Sequence, residues 1–136
     1  MTTKTPYGIT VQLRKPFEAA VEAARAALAA EGFGILMEAD LKATFQKKLG
    51  AEHTPYVILG ACSPRDAFDA LKLEPDLGLL LPCNVIVRDA GNGQSHVAAL
   101  DPVVLLGLTG NTALAPAAAA IQERLSRAMA SLAALP

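Results

Sequence analysis

Two cysteines and two histidines are the residues best equipped for chemistry in this 136-residue chain, and their settings differ. Cys62 stands directly before Ser63-Pro64, a helix-start pair. Amides at a helix N-terminus favour an anion, so this position predicts a thiol whose ionisation is eased and which acts as a nucleophile. Cys83 follows Pro82 in an apolar run and would serve as a resolving or orienting partner if two strands bring the sulfurs together. Cysteine is also a small buried hydrophobe, so inert packing and the lining of a ligand or cofactor pocket stand beside thiol chemistry as readings. His53, His96 and the two cysteines are the full set of N and S donors, without Cys-x-x-Cys or His-x-x-x-His spacing, so no metal site is expected.

Other polar residues have narrower roles. Arg65 in a helical first turn opposes the dipole and is either solvated or held by a carboxylate or an anionic ligand. Glu38 and Asp40 straddle a strand end, but Asp40 is better used as a helix cap. Asn84, beside a kink at Pro82, is placed to satisfy backbone groups that the kink frees. His53 reads as a loop histidine. His96 follows a hairpin: a turn at Asn92-Gly93 sets it opposite Asp89, and a turn one residue earlier sets it opposite Val87. No Gly-x-Gly-x-x-Gly, phosphate loop or Gly-x-Ser-x-Gly occurs, so nucleotide and ordinary hydrolase chemistry have no motif.

These residues need a scaffold, and composition says what kind. The chain is 52% hydrophobic and 18% charged, enough to bury a core in a single domain spanning 1–136. With 12 Lys and Arg against 13 Asp and Glu, and aromatics at 4%, it lacks the basic footprint and stacking platforms of a nucleic-acid binder. Gly107, Gly110, Asn111 and Pro116 interrupt the uncharged run 102–122, so no membrane span is expected. The N-terminal residues lack the apolar run of a secretory signal, and a cytoplasmic location with both cysteines as thiols follows as the expectation.

Alternation predicts a strand at 8–13, then a helix from Pro16 with Phe17, Val21, Ala24 and Leu28 on one face, ending at Gly32. A short strand at 33–38 leads to a helix capped by Asp40, with Leu41, Phe45 and Leu49 on one side and Gly50 as its stop. The apolar run 56–62 suits a strand buried on both faces. Ser63 caps the next helix, with Phe68 and Leu71 inward. Strands at 79–89 and 95–101 form a hairpin over 90–93, the first interrupted at Pro82. Asp101-Pro102 opens a short helix. From Thr112 a long one buries Leu114, Ala118, Ile121, Leu125, Ala128 and Leu132 and turns Gln122, Glu123, Arg124 and Arg127 to water.

At Leu59-Gly60-Ala61-Cys62-Ser63-Pro64, and again at Gly78 to Val87 with Pro82-Cys83-Asn84 within it, the chain resembles the bacterial and archaeal family known as domain of unknown function 302. Tyr7-Gly8, Asp40-Leu41-Lys42, His53-Thr54-Pro55-Tyr56, Asp101-Pro102 and Gly110-Asn111 extend the resemblance over most of the chain. One departure is Ser63, where the family often has Asn; either caps a helix. The resemblance implies an α+β fold of β-α-β4-α order with short helices inserted at Asp40 and Ser63, and commonly a homodimer. It implies no activity and no cofactor. The sheet is expected to be mainly antiparallel or mixed.

The expected function is therefore a cytoplasmic, homodimeric domain that binds a small apolar or cofactor-like molecule near Cys62, Ser63, Arg65, Pro82, Cys83, Asn84 and His96. A thiol-dependent enzyme or redox protein using Cys62 and Cys83, and an interaction module without ligand, are the rival readings.

Overall fold

The computed structural model describes residues 1–136. Strands β1 (Thr2–Lys4), β2 (Gly8–Leu13), β3 (Gly34–Asp40), β4 (Tyr56–Cys62), β5 (Cys83–Gly91) and β6 (Gln94–Leu100) form one sheet in the order β1-β2-β6-β5-β4-β3. Every neighbouring pair is antiparallel. Helices α1 (Phe17–Ala30), α2 (Leu41–Leu49), α3 (Pro64–Leu73), α4 (Pro102–Gly107) and α5 (Ala115–Ala133) complete an α+β fold. The order is β-α-β4-α with the short helices inserted, as the family resemblance implies, plus the edge strand β1, which the sequence reading did not include. No helix is long and apolar enough to cross a membrane.

The period of two decides the layers. Ile9, Val11 and Leu13 of β2, Val57, Leu59 and Ala61 of β4, Cys83, Val85 and Val87 of β5, and Val97 and Ala99 of β6 are all buried. They form one apolar cluster with Ala20, Ala24, Ala27 and Leu28 of α1 and with Ile121, Leu125, Ala128, Met129 and Leu132 of α5. Alanines on α1 let its backbone lie close to the sheet, which explains why a chain with few aromatics fills its core. A smaller cluster joins Ala70, Leu77, Leu106, Leu114 and Ala118 under α3 and α4. No helix layer of this kind covers the opposite face of the sheet.

Local signals hold where the partner group is near in sequence. Asp40 accepts from Ala43 N at 2.9 Å, and Gly50 closes α2 in the left-handed region at φ 62°. Asp101 accepts from Val103 N at 3.0 Å and also from Gln122 of α5 at 2.8 Å, tying the start of α4 to the long helix.

Several expectations are corrected. The strand expected to start at Leu79 starts at Cys83, because Pro75–Leu80 winds into a 3-10 helix that buries Leu77 and leaves Leu79 88% exposed. Pro82 thus precedes the strand rather than kinking it, and its ring packs over Gly60. A Cβ on Gly60 would meet Pro82 Cγ at 2.7 Å, so only glycine fits there. On α3, Ala70 is the buried residue, while Phe68 is 56% exposed and covered by Lys72 Nζ at 4.2 Å from its ring centre. Strand β3 runs on to Asp40, past a bulge between Ile35 and Met37.

The hairpin register is the most consequential correction. Gly91, Asn92 and Gly93 all have positive φ, and Gly91 pairs with Gln94 across the two-residue turn. Ala90 is then an unpaired bulge residue, so Asp89 faces Ser95 and Arg88 faces His96. Neither expected partner, Asp89 or Val87, opposes His96.

Candidate functional site

The residues singled out from the sequence separate into two places. Cys62, Ser63, Pro82 and Cys83 line a cavity where the two apolar clusters meet, beneath the start of α3, together with Phe33, Asp66 and Leu106. Register brings the cysteines near each other: Cys83 opens β5 opposite Ala61, and Cys62 is the next residue of β4. The cavity holds only ≈ 30 Å³, room for a water or two and not for a cofactor. Arg65 does not join it, being 82% exposed on its side chain and paired with Asp69 one turn along α3 at 3.5 Å.

Ser63 does not cap α3 with its side chain. Its Oγ accepts instead from Arg124 of α5 at 3.3 Å. The same guanidinium pairs with Asp66, donates to the Glu31 carbonyl at 3.4 Å and lies 5.0 Å over the Phe33 ring. Arg124 therefore locks the N-terminus of α3 and the end of α1 to α5. Sequence reading sent it to water with its neighbours on the helix. The available signal was its place at the border of the apolar stripe, three residues after Ile121 and next to Leu125.

This arrangement reverses the expected chemistry of Cys62. Burial and, secondly, the Asp66 carboxylate raise its thiol above the usual value, and the helix start does not lower it. Burial, with Cys62 nearby, pushes the Cys83 thiol up to about 11. Both cysteines are free thiols that resist ionisation at neutral pH.

Asn84 and His96 lie elsewhere, on the sheet face that no helix layer covers. Cross-strand pairing sets Gln12, His96, Arg88 and Tyr56 in one row across β2, β6, β5 and β4. The next row is Thr10, Ala98, Ile86 and Ile58. A groove of ≈ 530 Å³ runs over these rows, lined also by Tyr7, Asn84 and Leu100. His96 Nδ1 lies 2.6 Å from Gln12 Oε1, an atom that only accepts, so Nδ1 carries a proton and donates it. Burial and then the Arg88 charge hold the ring below its usual pKa, leaving it neutral with Nε2 as an acceptor. The Asn84 side chain is exposed and makes no backbone hydrogen bond, because there is no kink for it to satisfy. Arg88 and Tyr56 were missed as site residues, although the spacing Asn84, Ile86, Arg88 already places all three on one face.

The remaining groups stay local. His53 Nδ1 contacts its neighbour's carbonyl on Thr54 at 2.7 Å, and its ring sits edge-on between Phe45 and Tyr56. Glu38 pairs with Arg25 of α1. No three His, Cys, Asp or Glu side chains converge on a point where a metal could bind.

A single antiparallel sheet with helices packed on one face, an arginine clamp at the strand end and a groove on the other face define an α+β domain of one recognisable kind. The sequence pattern of the family described as Domain of unknown function DUF302 matches residues 9–132, and the chain belongs to that family. It is similar to a crystal structure of an uncharacterized conserved DUF302 protein from Bacillus stearothermophilus, with 30% identity and a TM-score of 0.83. That match covers 93% of this chain and 98% of the other. No curated protein matches the sequence.

Proposed function

We propose that the protein is a small-molecule-binding domain whose ligand occupies the uncovered face of the sheet. The observation that carries this is the contrast in room: ≈ 530 Å³ over the rows of Arg88 and Ile86, against ≈ 30 Å³ at the cysteines. A volume of this size, with Ile86, Ala98 and Leu100 set among a few polar groups, has the character of a ligand site. Of the residues expected to bind, Asn84 and His96 belong to this groove, whereas Cys62, Ser63, Pro82 and Cys83 take a packing role around the Arg124 clamp. The thiol-enzyme reading loses its main support, since neither cysteine has an eased ionisation. A reducing, cytoplasmic setting suits two free thiols.

The test is native mass spectrometry of the protein as purified, beside the variant Ala98→Trp, which fills the middle of the groove. A small-molecule adduct on the wild type that is lost in the folded variant supports the reading. An adduct retained in the variant, or none in either together with no groove response in a ligand screen, overturns it.

A homodimer is the second reading, favoured by a separate observation. Phe68 and Leu73 of α3, Leu79 of the 3-10 helix, and Val103 and Val104 of α4 are exposed on elements packed against one another, with Leu108 just beyond. Apolar side chains gathered at one end fit a self-complementary interface. Light scattering at micromolar concentration should give twice the chain mass, and Leu79→Glu should halve it. A monomer at all concentrations removes the dimer.

A further inference from the structure

Four of the six arginines in this protein are answered by acids. Arg25, Arg65, Arg124 and Arg127 each pair with a carboxylate. Arg14 has no such partner but is exposed on the chain leaving β2. Arg88 is the exception that lies half-buried in the middle of a sheet. It has no ion pair and no side-chain hydrogen bond, and it is the one formally charged side chain among the residues lining the groove.

Its neighbours narrow the chemistry. On one side His96 is neutral, tied to Gln12; on the other stands Tyr56. The row thus offers one positive charge, which suits a monoanion better than a phosphate dianion. Planar guanidinium matches planar carboxylate through two parallel hydrogen bonds. Two residues along the strands, about 7 Å away, the next row presents Ala98 and Ile86 with no charge, leading on toward Leu100 and Tyr7. The charged row and the uncharged rows of the groove, the latter carrying Thr10 and Asn84 beside their apolar residues, are therefore fixed in order and spacing by the register, which the Ala90 bulge sets.

Resting on the groove reading given above, we propose that the ligand is a small amphipathic carboxylic acid, its carboxylate on Arg88 and its apolar body over Ile86 and Ala98 toward Leu100. The bulge is then part of the site, since a regular hairpin would place Asp89 rather than Arg88 beside His96 and set a negative charge where the ligand's own must lie.

Octanoate, octanol and octylamine are matched probes. Each is titrated into isotope-labelled protein while amide shifts are followed. Octanoate is expected to move resonances of β2, β4, β5 and β6 and to bind about tenfold or more tightly than octanol, the ratio a charge-assisted pair supplies. Octylamine should bind no better than octanol. Arg88→Gln should remove that advantage, leave octanol binding unchanged and keep the melting temperature. Groove shifts of equal affinity for acid and alcohol, unaffected by Arg88→Gln, overturn the carboxylate while leaving a ligand groove. No groove shifts with any probe overturn both readings. The same holds if the mass is dimeric and Arg88→Glu makes it monomeric, for a second copy then covers the face.

Discussion

The two faces of the sheet are built from alternate residues of the same strands, yet they behave as different materials. On the covered face Val57, Leu59, Val85, Val87 and Val97 meet the alanine-rich side of α1 and the apolar stripe of α5, and the chemistry of any polar group there is set by lost hydration. On the open face Tyr56, Ile58, Ile86, Arg88 and His96 stay partly solvated, and cross-strand neighbours decide what each can do. Burial quiets the cysteines on the closed side, whereas the open side holds a half-buried cation without an acid. A folding core and a binding surface can share one sheet because successive side chains project to opposite faces.

The most direct way to break this comparison is to truncate neighbours on one strand. Leu59→Ala, at a fully buried site, should cost about 2–5 kcal/mol in chemical denaturation. Ile58→Ala, one residue away and partly exposed on the open face, should cost clearly less. Equal losses would mean that the open face is packed as tightly as the closed one.

Alkaline pH probes the closed face through Cys83. Its thiol is raised from 9.0 to about 11, so between those values the unfolded chain gives up a proton that the folded chain keeps. Stability is then full below pH 9 and declines toward pH 11, by on the order of 2–3 kcal/mol. Denaturation midpoints across this range should fall less steeply for Cys83→Ala than for wild type; parallel slopes would detach the pH dependence from this thiol.

At the seam between the clusters, Arg124→Met should cost about 1–2 kcal/mol, because Asp66 and Ser63 lose their partner in a partly screened site. Arg124→Lys should recover little of it, since one ammonium cannot reach the three acceptors the fork spans. Full rescue by lysine would reduce the clamp to a simple charge pair. The thermal midpoints of the three proteins decide it.

The smallest effect belongs to the open face. His96 has a lowered folded-state pKa, so its contribution is present above its ordinary value of 6.5 and is lost as pH falls through the folded value. Wild type should lose stability slightly faster than His96→Gln on mild acidification, and a steeper loss in the variant would contradict the neutral ring. Asn84→Ala should change stability by less than about 0.5 kcal/mol, as for an exposed site without partners.

Much of the fold was legible in the sequence, for a reason visible in particular residues. Strand alternation in Ile9-Val11-Leu13, the caps at Asp40 and Asp101, the left-handed stop at Gly50 and the Asn92-Gly93 turn all act over four residues or fewer. Each therefore leaves its mark in the local order of residue types. The same locality explains the failures: Leu79 looks like a strand residue until Pro75 and Gly78 wind it into a 3-10 turn, and Phe68 looks inward until the space beside α5 proves to suit alanine.

The sequence by itself determined the α+β class, the hairpin, the two long helices and the buried face of β2; β4, apolar throughout and expected to be buried on both faces, keeps Tyr56 and Ile58 partly exposed because no helix layer packs on that side. Only the tertiary structure decided which polar residues meet. Arg124 finds Ser63 and Asp66 from 61 and 58 residues away, a pairing that no local pattern encodes. One bulge residue, Ala90, shifts the hairpin by a single position and so gives His96 an arginine in place of an aspartate. Whether a helix start eases a thiol's ionisation also depends on what the fold sets beside it, and here burial and Asp66 outweigh the amides. Charge interactions and hydration depend on distance through space, and for these residues distance through space is unrelated to distance along the chain.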